Sequence, residues 1–474
     1  MSDCDIGIYG MAVMGQNLAL NIADSGFKVA VSNRTDAKTR DFMAQKAGDR
    51  PLEAAYDDLS AFTSLIKKPR VVLLIVKAGA PVDAVIDQLL PHLEPGDILI
   101  DGGNSHYTDT ERRIKALAEK DLHYVGMGIS GGEEGARHGP SLMPGGTREA
   151  YERIKPIVEA VAASANGEPC AAYLGERGAG HYVKMVHNGI EYGVMQAIAE
   201  VYDVLHRGAG MTPHEISDVF ARWNQGAMGS FLVDITAQIL AVTDPETGAP
   251  LIEMILDRAE QKGTGKWTTQ DALDMGVPVP TISTAVEARL ISALKQEREQ
   301  AAPHLPGPEA PFAGNRDDLI ITLELALMST MICCYAQGFA ALRFASDEYD
   351  YNLDPEAIAR IWRAGCIIRA DLLEEIRGAY RQDRDLPNLM LGTYFKQFLG
   401  DSQNGWRAAV QTAVALGIPA PALSSALAYY DGYRSARLPA NLIQAQRDYF
   451  GSHTYERTDR DGTFHTEWQS QQTE

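Results

Sequence analysis

Ile6-Gly7-Ile8-Tyr9-Gly10-Met11-Ala12-Val13-Met14-Gly15 stands near the start of the chain, and Lys28-Val29-Ala30-Val31-Ser32-Asn33-Arg34-Thr35 follows it. The apolar run Ile6 to Tyr9 suits a buried strand, and the spacing from Val13 to Ser25, closed by Gly26, suits a helix, so small residues fall at a strand-to-helix turn. A dinucleotide-binding fingerprint needs that setting. Gly10 permits the tight turn, Ala12 keeps the second small position open to a pyrophosphate, and Gly15 allows close helix packing while the helix N-terminus faces the anion. The second strand, Lys28 to Ser32, ends at Asn33 and Arg34, where NAD-binding folds place a carboxylate for the ribose 2′-hydroxyl. A guanidinium there can pair with a 2′-phosphate, so NADP is the expected cofactor, with Gly10 to Gly15 and Asn33, Arg34 and Thr35 around it. A glycine-bearing turn beside a surface arginine is the plainer reading of the same residues.

At 474 residues, 45% of them hydrophobic, the chain has material for two or three domains. We see no stretch approaching the apolar length of a membrane span and no basic and apolar regions of a signal peptide, and we expect a cytoplasmic protein. A formal net charge of −20 argues against nucleic acid or an anionic membrane as partner. Local clusters of Lys and Arg are therefore informative, since anionic substrates must be held at short range against an unfavourable field. Cys4, Cys170, Cys333, Cys334 and Cys366 have no Cys-x-x-Cys spacing, so they signal neither disulfides nor a metal site and read as buried small hydrophobes.

Residues 1–178 alternate strand-like and helical runs, with further strands at Val71 to Val76, Ile98 to Ile100 and His123 to Val125. This pattern predicts a Rossmann-type α/β domain on a doubly wound parallel sheet. Residues 179–437 read as a large all-α domain with helices at His181 to Arg207, Leu319 to Arg343 and Pro355 to Tyr380; Gln300 to Asn315, with its prolines, reads as a surface connection. Residues 438–474 form a C-terminal tail that is poor in aliphatics yet keeps Tyr449, Phe450, Tyr455, Phe464 and Trp468. It is either a frayed terminus or an arm that buries its rings on a partner subunit.

Lys184, His187, Asn188 and Glu191 fall at i, i+3, i+4 and i+7 and share one helical face, which offers a candidate base and a candidate acid with an imidazole and an amide between them. The same spacing also suits a solvated face with an ion pair. Ser130-Gly131-Gly132 has the form of an anion-binding nest or of an ordinary loop. Asn104 and the segment Val76-Lys77-Ala78 sit at the carboxyl edge of the expected sheet. Lys262-Gly263-Thr264-Gly265-Lys266 is a weak phosphate cradle.

Taken together, Gly10 to Asn17, Asn33 to Thr35, Val76 to Gly79, Asp101 to Ser105, Ser130 to Ala136, His181 to Tyr192, Lys262 to Trp267 and Leu438 to His453 resemble the decarboxylating 6-phosphogluconate dehydrogenases over nearly the whole chain. The resemblance implies oxidative decarboxylation of 6-phospho-D-gluconate to D-ribulose 5-phosphate with reduction of NADP. It implies Lys184 as general base and Glu191 as general acid, with Asn104, Ser130, Gly131, Gly132, His187 and Asn188 around the sugar acid. Tyr192, Lys262, Thr264 and Arg289 would hold its phosphate, and Arg447 and His453 would come from the partner's tail in a homodimer. Val194, Ala227, Glu287 and Met331 depart from the family's usual Asp, acidic residue, Phe and Lys. A related NADP-dependent β-hydroxyacid dehydrogenase acting on another phosphorylated sugar acid, and a catalytically silent NADP-binding protein, are the alternatives. Retention of Lys184 and Glu191 speaks against the second.

Overall fold

The computed structural model of the chain describes residues 3–309 and 311–468. Met1 and Ser2 of the expected first domain, Ala310 in the proline-bearing connection and residues 469–474 of the expected tail lie outside the described residues. The chain folds as two compact units, Met1–Ala426 and Leu427–Glu474.

In the first unit, β1 (Ile6–Tyr9), β2 (Val29–Ser32), β3 (Leu52–Ala54), β4 (Val71–Leu74), β5 (Ile98–Asp101), β6 (His123–Ser130) and β7 (Ser141–Pro144) form one sheet in the order β3-β2-β1-β4-β5-β6-β7. The order turns back at β1, which is flanked by β2 and β4. A crevice outside the carboxyl ends of β1 and β4 is thus the expected ligand position. β1, β2, β4 and β5 are buried at every residue, as strands covered on both faces must be. The sheet is not wholly parallel, because β7 runs antiparallel to β6. The chain reverses between them at Gly139, with φ +134°. β3 is only Leu-Glu-Ala, too short for a sequence pattern.

Beyond that sheet and a short antiparallel hairpin of Ser164–Ala165 with Glu168–Pro169, the first unit is helical. Its longest helix, Arg316–Glu348, corrects the reading that nothing here has the length of a membrane span: it is long and apolar enough, but 72% of its most apolar window is buried inside the protein. It is a core helix, packed on Ala179–Asp203 and Thr393–Ala415. The single helix expected from Pro355 to Tyr380 is two, Pro355–Ile361 and Leu372–Gln382. The break contains Gly365, with φ +67°, where an added Cβ would lie 2.6 Å from the Gly139 carbonyl oxygen. All five cysteines are free and buried, as expected.

In the second unit, the helix Ala440–Gly451 is followed by a hairpin of Tyr455–Glu456 with Thr463–Phe464. Asp448 is fully buried and organises it, accepting hydrogen bonds from Thr454 N, His465 Nδ1, Thr466 N and Trp468 Nε1. Burial opposes its charge, yet these donors hold its carboxyl down at about 2. The tail is a folded element, and its helix leaves Leu442, Ile443, Tyr449 and Phe450 exposed.

The Ala179–Asp203 helix lies directly on β6 and β7. A Cβ on Gly180 would fall 2.3 Å from both the Gly126 and Met143 carbonyl oxygens, and one on Gly128 would fall 2.4 Å from Lys184 Cβ. Backbone cannot swing aside as a side chain can. Gly180→Ala should therefore cost about 1–3 kcal/mol, read as a lowered midpoint in thermal unfolding together with reduced turnover.

Candidate active site

At the switch point the turn after β1 is built by steric necessity. Gly10 has φ +116°, and a Cβ there would lie 2.2 Å from the Ile75 carbonyl oxygen; one on Gly15 would lie 1.9 Å from the Gly10 carbonyl oxygen. The Asn33 side chain accepts from Met11 N at 3.0 Å and donates to the Thr35 carbonyl at 3.1 Å, tying the turn to the end of β2. A cleft of about 620 Å³ opens there, and Gly10, Ala12, Asn33, Arg34, Thr35, Val76 and Lys77 are among the residues lining it. Met11 and Gly15 are buried, whereas Val13, Met14, Ala78 and Asn104 are not among the lining residues. Arg34 is exposed in the cleft, and Lys38 joins it there. Lys38 was missed because a surface lysine on a polar helix carries no sequence signal. A cradle closed to any Cβ and a free guanidinium at the far strand fit a dinucleotide bearing a 2′-phosphate.

The polar face of the Ala179–Asp203 helix is not solvated. Lys184 is 6% exposed and His187 fully buried. Lys184 Nζ donates to Asn188 Oδ1 at 2.8 Å and lies 3.4 Å from His187 Nδ1. His187 Nδ1 is 2.9 Å from Asn188 Oδ1 and its Nε2 is 3.2 Å from Ser130 Oγ at the end of β6. A neutral ring with its hydrogen on Nδ1 satisfies both contacts, donating to Asn188 and accepting from Ser130. Burial drives the His187 pKa well below its ordinary value, and the Lys184 charge lowers it further. Burial also lowers the Lys184 pKa, with Glu191 pulling the other way, while burial raises the Glu191 pKa against Lys184 and Arg289. A base is thus shifted toward its neutral form and an acid toward its protonated form on one helical face.

A second element closes on this face. Asn188 Nδ2 donates to Thr264 Oγ1 at 3.0 Å, at the start of the helix Thr264–Asp274, and Thr268 Oγ1 donates to the Met185 carbonyl at 2.8 Å. Gly263, with φ +100°, makes the turn from Lys262 into that helix. The Arg289 guanidinium stacks 3.5 Å over the Tyr192 ring. Lys262, Thr264, Tyr192 and Arg289, separate in sequence, therefore belong to one neighbourhood around Asn188 and Glu191. Gly131 and Gly132 both have positive φ in the turn after Ser130. Glu287 is exposed. Arg447 and His453 lie in the second unit, both exposed, with Arg447 bonded to Gln444 and the His453 ring beside Phe450.

Behind the Asn104 turn, Asp101 accepts from Gly103 N, Ser105 Oγ and Tyr124 OH and pairs with the buried Arg113, which also holds Asp83. Asn104 itself is exposed. Another acidic group, Asp3 with Glu53 and Cys4, brings its ligand atoms within 4.8 Å of one another. Asp3 is paired with Lys28, and burial pushes the Cys4 thiol up to about 12, so the thiolate a metal requires is disfavoured.

The profile of the NAD-binding domain of 6-phosphogluconate dehydrogenase matches residues 5–175, and that of the enzyme's C-terminal domain matches residues 180–468. The chain belongs to the 6-phosphogluconate dehydrogenase family. It is 55% identical to the NADP(+)-dependent, decarboxylating 6-phosphogluconate dehydrogenase of Bacillus subtilis, over 99% of this chain and 100% of that one. With decarboxylating enzyme 1 of Saccharomyces cerevisiae the identity is 54%, over 95% and 92% of the two chains. The Plasmodium falciparum 6-phosphogluconate dehydrogenase, solved apo and in complex with NADP+ and with 6-phosphogluconate, superimposes with a TM-score of 0.95 at 45% identity, covering 98% of this chain and 100% of that one.

For this member of the family, Arg34→Ala should raise the KM for NADP by at least about tenfold, the loss of one charge-assisted pair, and leave any rate with NAD nearly unchanged. Equal losses with both cofactors, measured by initial rates, would mean that Arg34 supports the turn and does not read the phosphate.

Proposed function

We propose that the chain oxidises 6-phospho-D-gluconate at C3 and decarboxylates it to D-ribulose 5-phosphate and CO2, reducing NADP, as the oxidative pentose phosphate pathway requires. The observation that carries this reading is the buried Lys184 amine beside His187, Asn188 and Glu191, with its pKa lowered by burial. NADP, when bound in the Gly10–Arg34 cleft, accepts a hydride. Neutral Lys184 takes the proton of the C3 hydroxyl as that carbon is oxidised. The resulting 3-keto acid loses its carboxylate because the carbonyl β to it accepts the electron pair, and the Lys184 ammonium returns a proton to that oxygen. Glu191, protonated, then delivers a proton to the carbon that becomes C1 of the product, while Lys184 recovers the enediol proton as the ketone forms. Ser130, His187 and Asn188 orient the sugar acid, and Lys262, Thr264, Tyr192 and Arg289 hold its phosphate. Purified protein supplied with 6-phosphogluconate and NADP should release NADPH and CO2 in equal amounts. Turnover of a different phosphorylated sugar acid in preference would overturn the substrate.

The two shifted groups set the pH dependence. Acid protonates Lys184 and removes the base; alkali ionises Glu191 and removes the acid. The rate should therefore be bell-shaped in pH. Lys184→Met should abolish hydride transfer, and Glu191→Gln should depress overall turnover by roughly a hundredfold or more, with both variants folded and binding substrate. A Lys184→Met protein that still reduces NADP at the parent rate would refute the assigned base.

The reading includes a homodimer in the cytoplasm. Its support is the folded tail, whose helix bears Arg447 and leaves Leu442, Ile443, Tyr449 and Phe450 exposed. Such a face suits burial on a second copy. A chain ending at Leu438 should bind NADP yet lose sugar-acid turnover. Mixing Lys184→Ala with His453→Ala chains should restore part of the activity, because the hybrid dimer holds one intact site if His453 acts across the interface. Full activity of the truncated chain would sink the arm.

A further inference from the structure

Asp271 is a carboxylate 6% exposed, one turn from the end of the Thr264–Asp274 helix. Three phenols point at it. Tyr182 OH donates to Oδ2 at 2.6 Å, Tyr349 OH donates to Oδ1 at 2.9 Å, and Tyr107 OH makes a short bond to Oδ1. Burial raises the pKa of each phenol, so all three stay protonated donors. The rings also pack on one another, with Tyr107 and Tyr182 edge to face at 5.0 Å and Tyr182 and Tyr349 at 5.8 Å.

These residues come from the elements that must agree in position for the reaction proposed above. Tyr107 begins the helix that follows the Asn104 turn of the cofactor domain, Tyr182 lies on the helix of Lys184, and Asp271 lies on the helix whose first residue, Thr264, holds Asn188. A second strand of contacts runs alongside. The His106 ring stacks on Tyr107 at 4.9 Å and meets Trp267, in the Lys262–Trp267 segment, edge-on at 4.9 Å. Glu111, on the Tyr107 helix, accepts from Gly178 N at 3.0 Å, immediately before the Lys184 helix. A buried carboxylate with three donors is an all-or-none arrangement, since loss of a donor leaves buried charge under-satisfied.

We propose that Asp271, with Tyr107 and Tyr182, is a positioning unit that fixes the distance between the cofactor-domain turn at Asn104 and the Lys184 helix, and so governs the hydride step and not the binding of either ligand. The inference rests on the reaction proposed above. Parent turnover of 6-phosphogluconate tests that reading, and the variants measured against the parent test the unit.

Asp271→Asn keeps size and removes the charge; Tyr107→Phe removes a single hydroxyl and retains the ring. The measurements are kcat, the KM and Kd of NADP, and the kinetic isotope effect with substrate deuterated at C3. Displaced reactants should lower kcat by roughly tenfold or more, raise the isotope effect as hydride transfer becomes rate-limiting, and leave the NADP Kd unchanged. Tyr107→Phe should move the same quantities in the same direction by less. A residue that merely stabilises the fold would lower the unfolding midpoint with the isotope effect and kcat per folded enzyme unchanged, and that result overturns the proposal. If Asp271→Asn does not fold, Tyr107→Phe decides: a parental isotope effect there refutes the unit.

Discussion

A lysine taken out of water is the constraint on which the site depends. An exposed lysine titrates at about 10.4, so at neutral pH almost none of it can accept a proton, and each unit of lowering multiplies the neutral fraction tenfold. Here the lowering comes first from burial, and burial on this helix comes from contact with backbone. Lys184 Cβ approaches the place where a Gly128 Cβ would stand, and Gly180 approaches two carbonyls of the sheet. The glycines on β6 and at the head of the helix thus serve the acid–base chemistry proposed for Lys184, because a bulkier residue at either would lift the helix and let water in. Glu191 limits the effect. Its charge would stabilise the ammonium, and its own burial reduces that charge, so the two shifts depend on each other.

What was legible in the sequence follows a rule of range. The Gly10 to Gly15 turn could be read because each small residue answers a local steric demand, and the face of Lys184, His187, Asn188 and Glu191 because helical periodicity brings together residues a turn or two apart. The periodicity left open whether that face met solvent or a site, since spacing carries no information on burial. Asp271 could not be read at all: its partners Tyr182 and Tyr107 lie 89 and 164 residues away. Nor could the antiparallel β7, four residues set by the reversal at Gly139, or the break at Gly365, which lies against the Gly139–Pro140 turn far upstream. In the tail the aromatics signalled order, but the burial of Asp448 that organises them depends on four donors with no common spacing.

Two of the four departures from the family's usual residues share one place. Val194 and Met331 both line a void of about 10 Å³ beside Tyr335 and Ile368. An acid and a lysine there would form a buried pair whose desolvation cost offsets much of its attraction, and apolar groups of similar size can replace such a pair without loss. Ala227 and Glu287 are exposed, where substitution is ordinarily tolerated.

Electrostatics then sets how so acidic a chain can serve anionic ligands. At physiological ionic strength the screening length is about 8 Å, so the net charge of −20 acts weakly on a bound ligand compared with cations a few ångströms from it. The chain concentrates those cations where phosphates are expected: Arg34, Lys38 and Lys77 line the cofactor cleft, and Arg289 stands over Tyr192 near the Lys262 turn. Long-range repulsion slows encounter with a phosphorylated acid, while short-range pairing sets how long it stays. In the proposed dimer, Arg447 adds positive charge to a neighbour's site at that short range, so the tail contributes affinity that the rest of an acidic subunit cannot easily spare. Dimer assembly and substrate affinity are then coupled through the same few residues.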